Sequence, residues 1–158
     1  MEVTIGRKKT IKNLEEMRVF AEDFLRKLSA EPRKDHATVV GLSGNLGAGK
    51  TAFVKSVASV LSITDVITSP TFVLKKIYAI PQESIFGKSF SKLVHIDAYR
   101  LESGDEMSPL GWDCVCADSA NLVLLEWPEQ VASAMPKDMI TISFEYVDEG
   151  VRKVNYKF

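Results

Sequence analysis

GLSGNLGAGKTAFV, residues 41–54, packs Gly44, Gly47 and Gly49 into six positions and follows them at once with Lys50 and Thr51. The spacing from Gly44 through Gly49, Lys50 and Thr51 meets the P-loop pattern Gly-x-x-x-x-Gly-Lys-[Ser/Thr]. Phosphate groups are held by backbone N–H donors converging from a tight loop. Glycine allows the positive φ angles and the close approach that a Cβ would block. A helix beginning at the end of the loop adds its free N–H groups and its dipole. Lys50 then reaches the β- and γ-phosphate oxygens, and the Thr51 hydroxyl ligates Mg²⁺. The predicted cradle comprises Asn45, Leu46, Gly47, Ala48, Gly49, Lys50, Thr51 and Ala52.

The flanks supply the context the pattern needs. ATVVGL (37–42) is a short, almost continuous apolar run, the mark of a strand buried on both faces. After the loop, Phe53, Val54, Val57, Ala58 and Leu61 fall on one helical face. The glycines therefore lie between a buried strand and a helix.

Farther out, Leu14 to Leu28 reads as an amphipathic helix with Asn13 and Glu16 as its start signal. EVTI (2–5) alternates like a short strand. Segments 69–80 and 92–101 read as strands separated by a loop over 81–91, and NLVLLEW (121–127) is a second buried strand. ITISFEYV (140–147) and RKVNYKF (152–158) alternate around DEG (148–150) as a hairpin. Together these predict an α/β chain, residues 1–158 forming a single P-loop domain with a mixed sheet flanked by helices.

A P-loop needs a carboxylate for the metal and a group to position attacking water. LVHID ends in Asp97 and LVLLE ends in Glu126. An acid closing a buried strand is costly unless it is paired or near a metal, so both are candidates. The sequence leaves open which lies nearer the metal. His95 shares the face of Asp97, and its plain reading is a core histidine. Trp127 is either core or part of the nucleotide site, and SPT (69–71) suits a loop that senses the γ-phosphate. Arg100 reads most simply as a salt-bridge partner.

The ensemble resembles the TsaE (YjeE) family, small ATPases of bacterial tRNA threonylcarbamoyladenosine (t6A) synthesis. The resemblance rests on GNLGAGKT (44–51), SPTF (69–72), HIDAYRL (95–101) and LLEWPE (124–129) in that order. It implies a Mg²⁺-dependent ATPase, slow alone and stimulated by the partner proteins TsaB and TsaD, with tRNA engaged only through that assembly. It further implies phosphate and metal roles for Lys50 and Thr51, and a need for Asp97 and Glu126 in hydrolysis. Glu126 then serves on the Mg²⁺ side and Asp97 positions or activates water, though the reverse assignment stays open. Asn45 stands where the family often has Asp, and Ala52 where a second threonine is frequent. The 81–91 loop is longer than usual, and EMSPLGWDCVCAD (106–118) follows the pattern loosely.

Composition narrows the alternatives. A chain of 158 residues with 46% hydrophobic and 26% charged residues and a net charge of −1 is no electrostatic magnet for nucleic acid or anionic lipid. It holds no run of about 20 apolar residues and opens on no signal peptide, so the cytoplasm is the expected compartment. Cys114 and Cys116 read as reduced thiols, because a zinc site would need further ligands and only His36 and His95 exist. A small-molecule kinase would bring more arginines than the Arg100 and Arg152 found after the loop. The Asn-Lys-x-Asp pattern of GTPases is absent. A nucleotide-gated binding module with negligible hydrolysis is the rival from another class, and retention of both acids weighs against it.

Overall fold

The computed structural model describes residues 6–68 and 74–157. The expected strand at 2–5 and the SPTF segment lie outside the described residues. Among those described, seven strands form one sheet: β1 (Arg7–Ile11), β2 (Thr38–Ser43), β3 (Lys75–Ala79), β4 (Lys92–Asp97), β5 (Asn121–Glu126), β6 (Ile140–Asp148) and β7 (Val151–Lys157). Their order is β1-β7-β6-β2-β5-β4-β3. The β6–β2–β5–β4 centre is parallel, whereas β1–β7, β6–β7 and β3–β4 pair antiparallel. The sheet is mixed, as the alternation of buried and half-buried runs predicts.

Strands β2 and β5 read as nearly unbroken apolar runs because both of their faces are covered. On one face Val40, Leu42, Leu93, Leu122 and Leu124 pack against α1 (Leu14–Ala30) and α2 (Lys50–Val60). On the other, Val39, Val94, Ile96, Val123 and Leu125 meet residues of α3 (Trp112–Ala117) and of two 3₁₀ turns, Gly104–Leu110 and Pro128–Ala134. Helix α1 starts where its cap signals put it. The Asn13 side chain accepts from Glu16 N at 2.8 Å, and the Glu16 carboxylate accepts from Lys12 N at 2.7 Å.

Phe53 ties the first layer together. Its ring lies 5.6 Å from Phe20, 5.8 Å from Phe24 and 5.6 Å from Phe144, joining α2 to α1 and β6. Segment 81–91 forms turns, as expected, and is anchored by the buried rings of Phe86 and Phe90. No helix among the described residues is long and apolar enough to cross a membrane.

Candidate active site

The chain leaves β2 at Ser43 and turns through the glycine loop into α2. Gly44, Gly47 and Gly49 have φ of 142°, 79° and 113°, the region that side chains rarely adopt. At Gly44 a Cβ would also meet the Phe144 carbonyl oxygen at 2.5 Å, so β6 enforces this glycine directly. Lys50 opens the helix, with Nζ donating to the carbonyls of Gly44 and, at 3.3 Å, Asn45. Burial lowers its pKa, and the charges of Glu126, Glu129 and Asp97 oppose that shift.

The period of the strands brings the acids to the same place. Asp97 and Glu126 are register partners at the ends of parallel neighbours β4 and β5. Their parity matches Leu93 and Leu124, which face the α1/α2 layer. Both acids are buried. Strand β5 also pairs with β2, Glu126 lying opposite Leu42, so Glu126 is one strand from the glycine loop and Asp97 two. Asp97 Oδ1 accepts from Tyr99 N at 2.9 Å, which fixes the turn after β4. Glu126 Oε2 lies 2.8 Å from His95 Nε2.

Trp127 adopts φ 62°, ψ 52°, a left-handed conformation costing about 1–3 kcal/mol in a non-glycine residue. Its N–H donates to Leu42 O at 3.0 Å, and Pro128 then begins a 3₁₀ turn. The strained turn brings the indole over the site. Its centroid is 4.1 Å from Lys50 Nζ and 5.2 Å from the Tyr99 ring.

These groups surround a cavity of about 370 Å³ lined by Leu46 to Ala52 of the loop together with Asp97, Tyr99, Glu126, Trp127 and Arg152. Of the cradle residues expected from sequence, Asn45 is outside the lining and takes part through its carbonyl. Arg100 is exposed and does not line the cavity. Cys114 is exposed, and burial pushes the half-buried Cys116 thiol up to about 11.

Three groups escaped the sequence reading. Tyr99 sits within HIDAYRL and could have been noticed two residues after Asp97. Glu129 accepts from the Ser43 hydroxyl at 3.1 Å, bracing the strand end before the loop; its signal was its place in LLEWPE. Arg152 comes from β7, and nothing local announces it. Its guanidinium stacks on Tyr146 at 4.5 Å and donates to Asp148 O and Val151 O at 2.9 Å.

Among the described residues no group of three or more His, Cys, Asp or Glu side chains can hold a metal unaided. The oxygen pair of Thr51 and Glu126 at one cavity nevertheless fits Mg²⁺, which commonly takes one or two protein oxygens and completes its shell with phosphate and water.

A buried strand, a glycine loop and a helix at the parallel centre of a mixed sheet, with acids closing the neighbouring strands, define a P-loop α/β protein. A sequence model of the family described as threonylcarbamoyl adenosine biosynthesis protein TsaE matches residues 11–154. The chain belongs to the TsaE family. A relative from Treponema pallidum is 38% identical over 120 residues, covering 76% of this chain and 82% of its own. One from Rickettsia bellii is 33% identical over 142 residues, 89% of this chain and 88% of its own. Both carry the name tRNA threonylcarbamoyladenosine biosynthesis protein TsaE. The crystal structure of YdiB from Bacillus subtilis superposes with a TM-score of 0.68 at 25% identity, covering 99% of this chain and 88% of that one.

Proposed function

We propose that residues 1–158 act as a single Mg²⁺-dependent ATPase domain in the synthesis of threonylcarbamoyladenosine on tRNA. The observation that carries this reading is the convergence of Lys50, Thr51, Asp97 and Glu126, from three separate stretches of chain, on the cavity under the glycine loop. Family membership supports the pathway, through the shared name of the relatives.

In this reading the glycine-loop N–H groups and the α2 N-terminus hold the phosphates of ATP. Lys50 exchanges its present acceptors, the carbonyls of Gly44 and Asn45, for phosphate oxygens. Thr51 and Glu126 hold Mg²⁺, and the proximity of β5 to the loop strand β2 favours Glu126 over Asp97 for that role. Bound there, Mg²⁺ would supply positive charge to offset the negative charge that develops on the phosphates. Asp97 positions the attacking water. Trp127 and Tyr99 form an aromatic wall over Lys50, and Arg152 adds a second cation from the hairpin. The partners are TsaB and TsaD, with tRNA met through that assembly rather than by this chain, and the compartment is the cytoplasm.

The test is phosphate release from ATP with Mg²⁺, by the protein alone and with TsaB and TsaD. A low rate alone, raised by the partners, is the expected result. Lys50→Ala, Asp97→Ala and Glu126→Ala should each lower the stimulated rate by about 100-fold or more. Partners that bind yet leave the rate flat would replace hydrolysis with a nucleotide-gated docking role. Partners that neither bind nor stimulate would remove the assembly from the proposal.

A further inference from the structure

We propose that His95 is a positioning residue for the metal-side carboxylate, fixing the Glu126 side chain through a hydrogen bond from its Nε2–H. The proposal rests on the reading of Glu126 as a Mg²⁺ ligand.

His95 is wholly buried on β4. The parallel register sets it beside Leu124, two residues behind Glu126 and on the same sheet face, close enough for the diagonal contact. Nε2 lies 2.8 Å from Glu126 Oε2. Nδ1 is buried and has no hydrogen-bond partner among the described residues. A proton on Nδ1 would thus be a buried N–H lacking an acceptor, whereas a proton on Nε2 meets a carboxylate oxygen in good geometry. This fixes the ring: Nε2 donates and Nδ1 stays bare. Leu93 and Leu124, which share its sheet face, belong to an apolar layer that offers imidazole no polar partner among the described residues.

The consequence concerns Glu126. Three bonds rotate between its backbone and its carboxylate, and a metal ligand loses affinity when it must be ordered on binding. His95 takes one oxygen, Oε2, and thereby limits that rotation from within the core. The other oxygen, Oε1, remains for the metal or a water on it. Two distinct groups act on Glu126, His95 through a hydrogen bond within the sheet and Lys50 through its charge.

The decisive probe is Mn²⁺ binding in the presence of a non-hydrolysable ATP analogue, followed through the spin resonance of free Mn²⁺. His95→Leu should weaken Mn²⁺ by about 10- to 100-fold, and His95→Gln, which keeps an N–H donor near Nε2, should recover most of that loss. Affinity for the analogue in EDTA should stay within about twofold, because the phosphate cradle is untouched. In the unmodified protein, ¹⁵N spectra of labelled histidine should show the His95 proton on Nε2. Unchanged Mn²⁺ affinity in a folded His95→Leu protein overturns the proposal, as does failure of His95→Gln to recover it. Should the leucine variant not fold, a proton found on Nδ1 overturns it equally. Glu126→Gln separates the two layers. If it weakens Mn²⁺ while His95→Leu does not, only the positioning role falls. If it leaves Mn²⁺ binding intact, the metal role of Glu126 falls and the positioning role with it.

Discussion

Gly44 and Gly47 share a motif but are required for different reasons. Gly44 has φ 142° and sits where a Cβ would come 2.5 Å from the carbonyl oxygen of Phe144. Gly47 has φ 79° and nothing within 4 Å of that position. Gly47→Ala therefore carries backbone strain alone, about 1–2 kcal/mol. Gly44→Ala adds a collision with a backbone atom that must move, and should cost at least about 1 kcal/mol more. Thermal unfolding of the two variants checks this, and equal losses of stability would refute the role assigned to Phe144. The motif makes both glycines legible in the sequence. The contact with β6 that makes one of them stricter is not, because Phe144 lies a hundred residues along the chain from Gly44.

Among the elements, the loops at the opposite end of the sheet are joined by a charged clamp. His36, just before β2, lies 2.7 Å from Asp35 and 2.6 Å from Asp138, which precedes β6, and Arg33 reaches Asp138 at 3.4 Å. Hydrogen bonds to Asp138 and Asp35 raise the His36 pKa. The bond to His36 lowers that of Asp35; for Asp138 burial pushes upward, but His36 and Arg33 outweigh it. A raised imidazole stabilises the fold fully below its unfolded value, about 6.5, and ceases to as pH rises through its folded value. The depressed carboxylates contribute above about 3.9 and lose that contribution as pH falls through their folded values. The clamp is therefore strongest between about pH 4 and 6.5. These side chains are well exposed, so solvent screens the effect. His36→Gln should lower the unfolding temperature by about 1–3 °C near pH 5, a difference that fades on the alkaline side. A gap that stays constant to about pH 9 would show that the loss is one of packing.

For the molecule as a whole, the phosphate loop is only as rigid as the layer beneath it. Phe53 stands one turn into α2 from Lys50 and Thr51, and is fully buried among Phe20, Phe24 and Phe144. Phe53→Ala should cost about 3–5 kcal/mol, or roughly 6–20 °C in the unfolding midpoint. It should also weaken nucleotide binding, although the side chain is not among those lining the cavity. Differential scanning calorimetry beside nucleotide titration tests the coupling. A large stability loss with unchanged affinity would show that the loop holds its geometry independently of the helix.

The glycine loop, the buried strands β2 and β5, the cap and stripe of α1, and the closing hairpin were all legible, because each is specified by neighbours within a few residues. So was the position of Asp97 and Glu126 at strand ends, since an acid closing an apolar run stands out locally. Helix α3 and the two 3₁₀ turns were missed. Their buried residues, such as Met107, Trp112 and Val131, are few and interrupted by Pro109, Gly111 and Pro128, which leaves no period to detect. Strand β1 hides in the charged run RKKTI, where pairing to β7 and a single buried residue, Ile11, make the strand. Strand order depends on pairings between distant segments. It alone brings His95 to Glu126, and it carries Arg152 to the loop by setting the hairpin beside β2. Short-range patterns thus fix the chemistry each segment can offer, while long-range pairing determines which of those groups meet.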